Sequence, residues 1–125
     1  MEKKEILIID DDPDILTTLK KRLNKHGFEC TTADTVNGGL TKLRDKVPDL
    51  VVLDLGFAGP NGTAFLENVR AYLPDGIEAP PILVLSCYND REVIDLVLDE
   101  GAAGFISKPY DPAVLVSTIQ GLLEA

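Results

Sequence analysis

Leu50-Val51-Val52-Leu53 is the most apolar run in the chain, and Asp54 follows it directly. Four consecutive aliphatic residues without polar alternation are typical of a parallel strand that is covered on both faces. A carboxylate at the carboxyl end of such a strand lies where open α/β sheets carry their chemistry. The run therefore predicts a buried strand with Asp54 as a functional group at its end.

Three other strand-like runs also end in polar side chains. Residues 6–9 lead into Asp10, Asp11 and Asp12, residues 82–85 lead into Ser86, and residues 104–107 lead into Lys108. Because the carboxyl ends of parallel strands meet at one edge of a sheet, we expect these groups to converge. Carboxylates, a hydroxyl and an ammonium at one edge form a suitable site for a divalent metal and a phosphoryl group.

The order of the elements predicts the fold class. The predicted strands are 6–9, 28–33, 50–53, 82–85 and 104–107. The predicted helices run from 13 to near 27, from 35 to 44, from after a turn at 59–62 to before Pro74, from 90 to 100, and from 112 onward. Strict alternation favours parallel strands joined by right-handed crossovers, with helices on both faces of the sheet.

Helical periodicity predicts which residues of the last two helices face the core. The predicted inward positions are Val93, Ile94, Val97 and Leu98 in the fourth helix, and Val114, Leu115, Ile119 and Leu122 in the fifth. Some apolar positions on these helices could lie either in the core or in a dimer interface. These positions are Val93, Val97, Val116 and Ile119.

The composition is that of one globular domain, residues 1–125, with 45% apolar and 26% charged residues. A net charge of -9 argues against direct contact with nucleic acid by this domain. Cys30 and Cys87 lack the spacing of metal ligands, and we interpret both as reduced, partly buried thiols. Reduced thiols and the acidic net charge favour a cytoplasmic protein. The apolar run near the amino terminus is too short for a signal peptide or a membrane span.

The acidic triplet indicates a metal. Asp10 and Asp11 are adjacent carboxylates, and such groups repel each other unless a cation lies between them. Mg²⁺ fits best because it is hard, takes few carboxylates and shares oxygens with phosphate. Asp12 precedes a proline and is interpreted as the N-cap of the first helix. Asp54 is then either a further metal ligand or a nucleophile that forms an aspartyl phosphate.

Together these residues resemble the defining set of receiver domains of two-component response regulators. The resemblance covers the chain from Glu5 to Leu123. It implies a (βα)5 flavodoxin-like three-layer sandwich whose five-stranded parallel sheet has the order 2-1-3-4-5. It also implies that Asp54 accepts a phosphoryl group from a sensor histidine kinase or a histidine phosphotransfer protein. The reaction would require Mg²⁺, for which Mn²⁺ is a possible substitute.

The resemblance also implies a role for each residue of the metal site. Asp11 and Asp54 would bind Mg²⁺ directly, and Asp10 would bind it through water. The backbone carbonyl of Gly56 would complete the protein ligands.

Ser86 and Lys108 would hold the phosphoryl oxygens, and the bond between Lys108 and Pro109 is expected to be cis. Phe105 matches the switch aromatic of the family. Phosphorylation would draw Ser86 toward the new phosphoryl oxygens and let Phe105 turn inward into the vacated space. The surface of the fourth helix, fifth strand and fifth helix would then change for an output domain, a downstream protein or a second copy of the chain.

The chain departs from the family pattern at Gly56, Ala58, Cys87 and Tyr88. A longer side chain is usual at position 56, a proline at 58, and a small residue at 87. We expect these departures to change the lifetime of the phosphoryl group and to leave the reaction itself in place.

Three other functions are typical of this architecture or of related sites. A phosphatase acting through an aspartyl phosphate would need an acid/base at position 56, which is Gly56. A nucleotide or flavin module would need glycines in the first strand-to-helix turn, where the chain has carboxylates. The main alternative is a degenerate receiver that only binds partner proteins. The sequence is compatible with a stand-alone receiver and with a piece of a longer regulator or hybrid kinase.

Overall fold

The structure, a computed structural model, describes residues 3–55, 60–88 and 90–124. Its strands are β1 (Glu5–Ile9), β2 (Glu29–Ala33), β3 (Leu50–Asp54), β4 (Ile82–Ser86) and β5 (Gly104–Ser107). Its helices are α1 (Pro13–Lys25), α2 (Val36–Asp45), α3 (Pro60–Tyr72), α4 (Arg91–Asp99) and α5 (Pro112–Glu124). The predicted alternation is confirmed, with strand bounds that differ by a single residue. The predicted turn at 59–62 is wrong from Pro60 onward, because α3 begins there.

All the strand pairs are parallel, and the order in the sheet is β2-β1-β3-β4-β5. This is the flavodoxin-like arrangement that the resemblance to receiver domains implied. The central strand β3 is buried along its whole length, as is β4. The sheet therefore delivers the carboxyl ends of its central strands to one edge, where the polar side chains follow.

Side-chain caps fix where several helices begin. The Asp12 carboxylate accepts a hydrogen bond of 2.9 Å from the amide of Asp14, which confirms Asp12 as the N-cap of α1. At the other end of α1, Nδ1 of His26 lies 3.0 Å from the Arg22 carbonyl oxygen. Gly27 follows with a φ of +91°, a conformation that side chains other than glycine rarely adopt. The loop carrying the acidic residues is thus held at a defined helix start.

The core has two parts, one on each face of the sheet. One packs α1 and α5 against the sheet, and the other packs α2, α3 and α4 against the opposite face. Val97, Val116 and Ile119, for which core and interface were both open, are buried in these clusters. Within the described ranges no helix is both long and apolar enough to cross a membrane.

Two predicted core positions are wrong, because Leu98 is 43% exposed and Val114 is 48% exposed. In α4 the buried residue is Val97, and neighbours one position away lie about 100° around the helix. In α5 Leu115 and Ile119 are buried as predicted, and Val116 is buried where Val114 was predicted to be. Both helices therefore present aliphatic side chains to the surface beside β5.

Candidate functional site

Register brings the predicted site residues to one edge of the sheet. Ile9 of β1 pairs with Leu53 of β3, so Asp10 and Asp54 follow paired residues on neighbouring strands. Ser86 pairs with Ser107, which places Lys108 just beyond Ser86. The Lys108 amide also donates a 2.8 Å hydrogen bond to the Ser86 carbonyl oxygen.

Asp54 and Lys108 form a buried ion pair. The Lys108 Nζ lies 2.5 Å from Asp54 Oδ2, and the two side chains are 17% and 0% exposed. Burial alone would lower the pKa of the Lys108 ammonium, but the hydrogen bond and the charge of Asp54 outweigh burial and raise that pKa. The Asp54 carboxylate is thus held against the ammonium group of Lys108.

Asp10 is the second buried carboxylate at this edge and is 3% exposed. Its Oδ1 accepts a 3.2 Å hydrogen bond from the Asp12 amide, whereas its Oδ2 is buried without a hydrogen-bond partner in the described part of the chain. Burial, and then the charge of Asp54, raise the pKa of Asp10 to about 7. A buried carboxylate oxygen with no donor beside a second carboxylate is an arrangement that a cation would stabilise.

The residues fit a Mg²⁺ ion that keeps several of its waters. Asp10 and Asp54 are buried beside each other, and Asp11 is exposed next to them. Among the described residues, no three His, Cys, Asp or Glu side chains are grouped closely enough to hold an ion unaided. Gly56, which the sequence analysis assigned as a carbonyl ligand, lies outside the described residues, as does Ala58.

Ser86 supplies the hydroxyl at this edge. Its side chain is fully buried, and its Oγ accepts a 2.9 Å hydrogen bond from the Tyr88 amide. Because the hydroxyl accepts that bond, its hydrogen is available for donation to a ligand. A cavity of about 390 Å³ separates Ser86 from α4 and is also lined by Leu55, Tyr88 and Val97.

The remaining predicted residues are Phe105, which lies within β5, and Pro109, which follows Lys108. Phe105 is partly buried against the cluster under α2, α3 and α4, and it pairs with Val84, two residues before Ser86. The Lys108–Pro109 peptide bond is cis.

An open cleft of about 560 Å³ leads from the surface to Asp54. It lies between α1, which contributes Thr18 and Arg22, and the segment after β5, which contributes Lys108 and Tyr110. Neither Arg22 nor Tyr110 was among the predicted site residues. The only sequence signal for Tyr110 as a site residue was its position two residues after Lys108.

The two thiols differ in exposure. Cys30 is buried in the core, and burial raises the pKa of its thiol to about 11. Cys87 is exposed and lines the cleft to Asp54, so the prediction of a partly buried thiol is wrong there. Its neighbour Ser86 points into the protein, and successive side chains at the end of a strand point to opposite sides.

Comparison with known proteins gives one consistent result. The family description "Response regulator receiver domain" matches residues 6–120. The transcriptional regulatory protein KdpE of Mycobacterium tuberculosis is 35% identical over 105 residues, which are 84% of this chain and 44% of that protein. The DNA-binding response regulator MtrA of Mycolicibacterium smegmatis is 33% identical over 121 residues, which are 97% of this chain and 51% of that protein. The chain thus spans about half the length of these relatives.

Solved structures agree with this match. A CheY-like receiver domain protein of Methanospirillum hungatei superposes with a TM-score of 0.85 at 30% identity, over 98% of this chain and 95% of that one. The BeF3-activated receiver domain of RstA from Klebsiella pneumoniae gives 0.84 at 26% identity, over 97% of this chain and 99% of that one.

Proposed function

This chain belongs to the response regulator receiver domain family, and on that basis we propose that it is the phosphoacceptor switch of a two-component phosphorelay. Asp54 is the proposed acceptor. The observation that carries the proposal is the buried ion pair of Asp54 with Lys108, beside Asp10 and Ser86, at the end of an open cleft. The donor would be a sensor histidine kinase or a histidine phosphotransfer protein.

In the proposed reaction a carboxylate oxygen of Asp54 attacks the phosphorus of a phosphohistidine. The new O–P bond forms as the N–P bond breaks, and the electron pair of that bond stays on the imidazole nitrogen. Lys108 then neutralises phosphoryl oxygens in place of the carboxylate, and Ser86 donates its free hydroxyl hydrogen to another. A bound Mg²⁺, held by Asp10, Asp11, Asp54 and the Gly56 carbonyl, would neutralise the remaining negative charge.

We infer that the chain is a phosphoryl acceptor with at most weak self-phosphorylation and autodephosphorylation. The departures at Gly56, Ala58, Cys87 and Tyr88 concern the rate at which the phosphoryl group is lost. Of these, exposed Cys87 lines the cleft that leads to Asp54.

The proposed output is a change of the surface formed by α4, β5 and α5. Phosphorylation gives Asp54 about two negative charges and three acceptor oxygens, which attract the Ser86 hydroxyl. The cavity beside Ser86 leaves room for such a shift. Phe105 would turn inward in response, and exposed Leu96, Leu98 and Val114 give the surface apolar area for a partner.

The partners proposed on this surface are an output domain or a downstream protein, with a phosphorylation-dependent homodimer as a further state. The relatives are DNA-binding or transcriptional regulators by name, but this domain carries a net charge of -9, so DNA contact is assigned to a separate output domain. Two free thiols suit a reducing compartment, and we place the domain in the cytoplasm.

The proposal is tested by intact mass after incubation with acetyl phosphate and Mg²⁺. We expect one phosphoryl group on wild type, none on Asp54→Asn, and one on Asp45→Asn, in which an exposed carboxylate at the end of α2 is changed. Chelation with EDTA should prevent the adduct. An adduct that persists in Asp54→Asn would assign the acceptor to another residue.

The alternative is a receiver that only binds partner proteins. It would be supported if neither acetyl phosphate nor a purified phosphohistidine protein modified the wild-type chain. For the switch itself, a Phe105 rotamer that is unchanged between the free and beryllofluoride-bound protein would contradict the proposed movement.

A further inference from the structure

Tyr110 lies in the cleft to Asp54 and has no part in the function proposed above. It follows the Lys108–Pro109 peptide and precedes Asp111, whose carboxylate accepts a hydrogen bond from the amide of Ala113 at the start of α5. The ring is partly buried against the core cluster under α1 and α5, beside Ile15. Tyr110 is therefore anchored on one side and faces the cleft on the other.

The hydroxyl of Tyr110 is free to bind a ligand. No hydrogen bond to it is formed within the described ranges 3–55, 60–88 and 90–124. Burial and then the charge of Asp54 raise the pKa of Tyr110, against the opposing charges of Lys108 and Arg22. The phenol thus keeps its proton at neutral pH and lies within range of the Asp54 charge.

The direction of approach makes this hydroxyl relevant to the reaction. Asp54 is almost completely buried, and the cleft lined by Tyr110 and Lys108 is an open route to it. A tetrahedral phosphoryl group entering there has more acceptor oxygens than Lys108 and Ser86 can satisfy. A neutral phenol adds a donor without adding charge, because it donates a hydrogen bond and transfers no proton.

We propose that the Tyr110 hydroxyl contacts the incoming phosphoryl group, as a third side-chain hydrogen-bond donor beside Lys108 and Ser86. This inference rests on the proposed function of Asp54 as the phosphoacceptor. It differs from that function in assigning a residue outside the family's defining set to the reacting group.

The test is the rate of phosphorylation by acetyl phosphate with saturating Mg²⁺, followed by intact mass over time. Tyr110→Phe removes only the oxygen, and we expect a rate roughly three- to tenfold lower, the effect of one lost neutral hydrogen bond. Tyr72→Phe is the matched control, because Tyr72 is also partly buried but packs on the opposite face of the sheet. It should react as wild type does.

Tyr110→Leu separates the hydroxyl from the ring. If the hydroxyl contacts the phosphoryl group, Tyr110→Phe and Tyr110→Leu should both react more slowly than wild type. Thermal unfolding should show that Tyr110→Phe is folded. A wild-type rate in Tyr110→Phe with a loss only in Tyr110→Leu would overturn the proposal and leave the ring as packing alone. If wild type formed no adduct with acetyl phosphate or with a purified phosphohistidine protein, the phosphoacceptor function would be overturned, and the role of Tyr110 with it.

Discussion

Two lysine–carboxylate pairs of nearly equal length lie at opposite edges of the sheet. Lys46 Nζ is 2.6 Å from Glu5 Oε1 at the amino edge, and Lys108 Nζ is 2.5 Å from Asp54 Oδ2 at the carboxyl edge. The side chains of the first pair are 76% and 30% exposed, and those of the second are 17% and 0% exposed. The nitrogen–oxygen distances of the two pairs are nearly equal, so the main difference between the pairs is their access to water.

That difference decides what each pair can do. Water and salt screen the pair at the amino edge, so it contributes little to either stability or chemistry. At the carboxyl edge desolvation offsets much of the attraction, so the pair is weak evidence for stability. The same burial makes Lys108 a strong partner for any charge that forms on Asp54. We infer that the buried pair is kept for reaction rather than for folding.

The largest effect is expected from removing each lysine in turn. Lys108→Ala should slow phosphorylation by acetyl phosphate about 100-fold or more, because the transferred group loses its fixed cation. Lys46→Ala should react at the wild-type rate. Intact-mass time courses on both variants make the comparison, and equal rates would show that burial of the Lys108 pair has no chemical consequence.

The next effect concerns stability and pH, and it sharpens the contrast between the two edges. The pKa of Asp10 is about 7 in the folded protein and about 4 for an unperturbed aspartate, so between these values only the folded chain keeps the proton. The stabilisation from this group is complete below pH 4 and is lost as the pH rises through 7. In EDTA, Asp10→Asn should therefore exceed wild type in unfolding free energy at pH 8, by about 1 to 3 kcal/mol.

Urea unfolding at pH 5 and pH 8 measures this effect. Glu5→Gln is the control at the amino edge and should follow the pH dependence of wild type. The raised pKa of Asp10 would be contradicted if the unfolding free energy of wild type, measured relative to that of Asp10→Asn, did not fall between pH 5 and pH 8. Adding Mg²⁺ at pH 8 should stabilise wild type more than Asp10→Asn, since the ion replaces the missing partner of Asp10.

The sequence predicted the carboxyl edge well and the amino edge poorly. Uninterrupted apolar runs ending in Asp54 and Ser86 are typical of strands covered on both faces, so parallel pairing and convergence followed from alternation. The strand order followed from the resemblance to receiver domains. The pair of Lys46 and Glu5 joins the end of one helix to the start of a strand. No local pattern indicates that contact, because it depends on how α2 packs.

The same limit explains the errors at the surface. Leu98 and Val114 satisfy a helical period, but a shift of one position around the helix decides whether such a residue is covered. Tyr110 was missed because the role that we propose for it depends on the cleft between α1 and the segment after β5, which only the packed fold creates.

A smaller effect separates charge from hydrogen bonding at the buried edge. Ser86→Ala should slow phosphorylation about tenfold, because one neutral donor is lost, and should leave the Tyr88 amide without its acceptor. Ser107→Ala is the matched control, since Ser107 is the register partner of Ser86 on β5. If both serine variants slowed the reaction equally, the effect would belong to strand packing and not to the Ser86 hydroxyl.

The smallest effect is expected at the amino edge, where the pair itself can be measured. A double-mutant cycle with Lys46→Ala and Glu5→Gln should give a coupling free energy of about 0 to 0.5 kcal/mol in urea unfolding, falling further in high salt. The reason is that Lys46 exchanges its partner for water at almost no loss. A coupling above about 1 kcal/mol would mean that an ion pair with a 2.6 Å contact stabilises the fold even when water reaches it. The contrast with the buried pair would then rest on chemistry alone, since burial would no longer distinguish the two edges energetically.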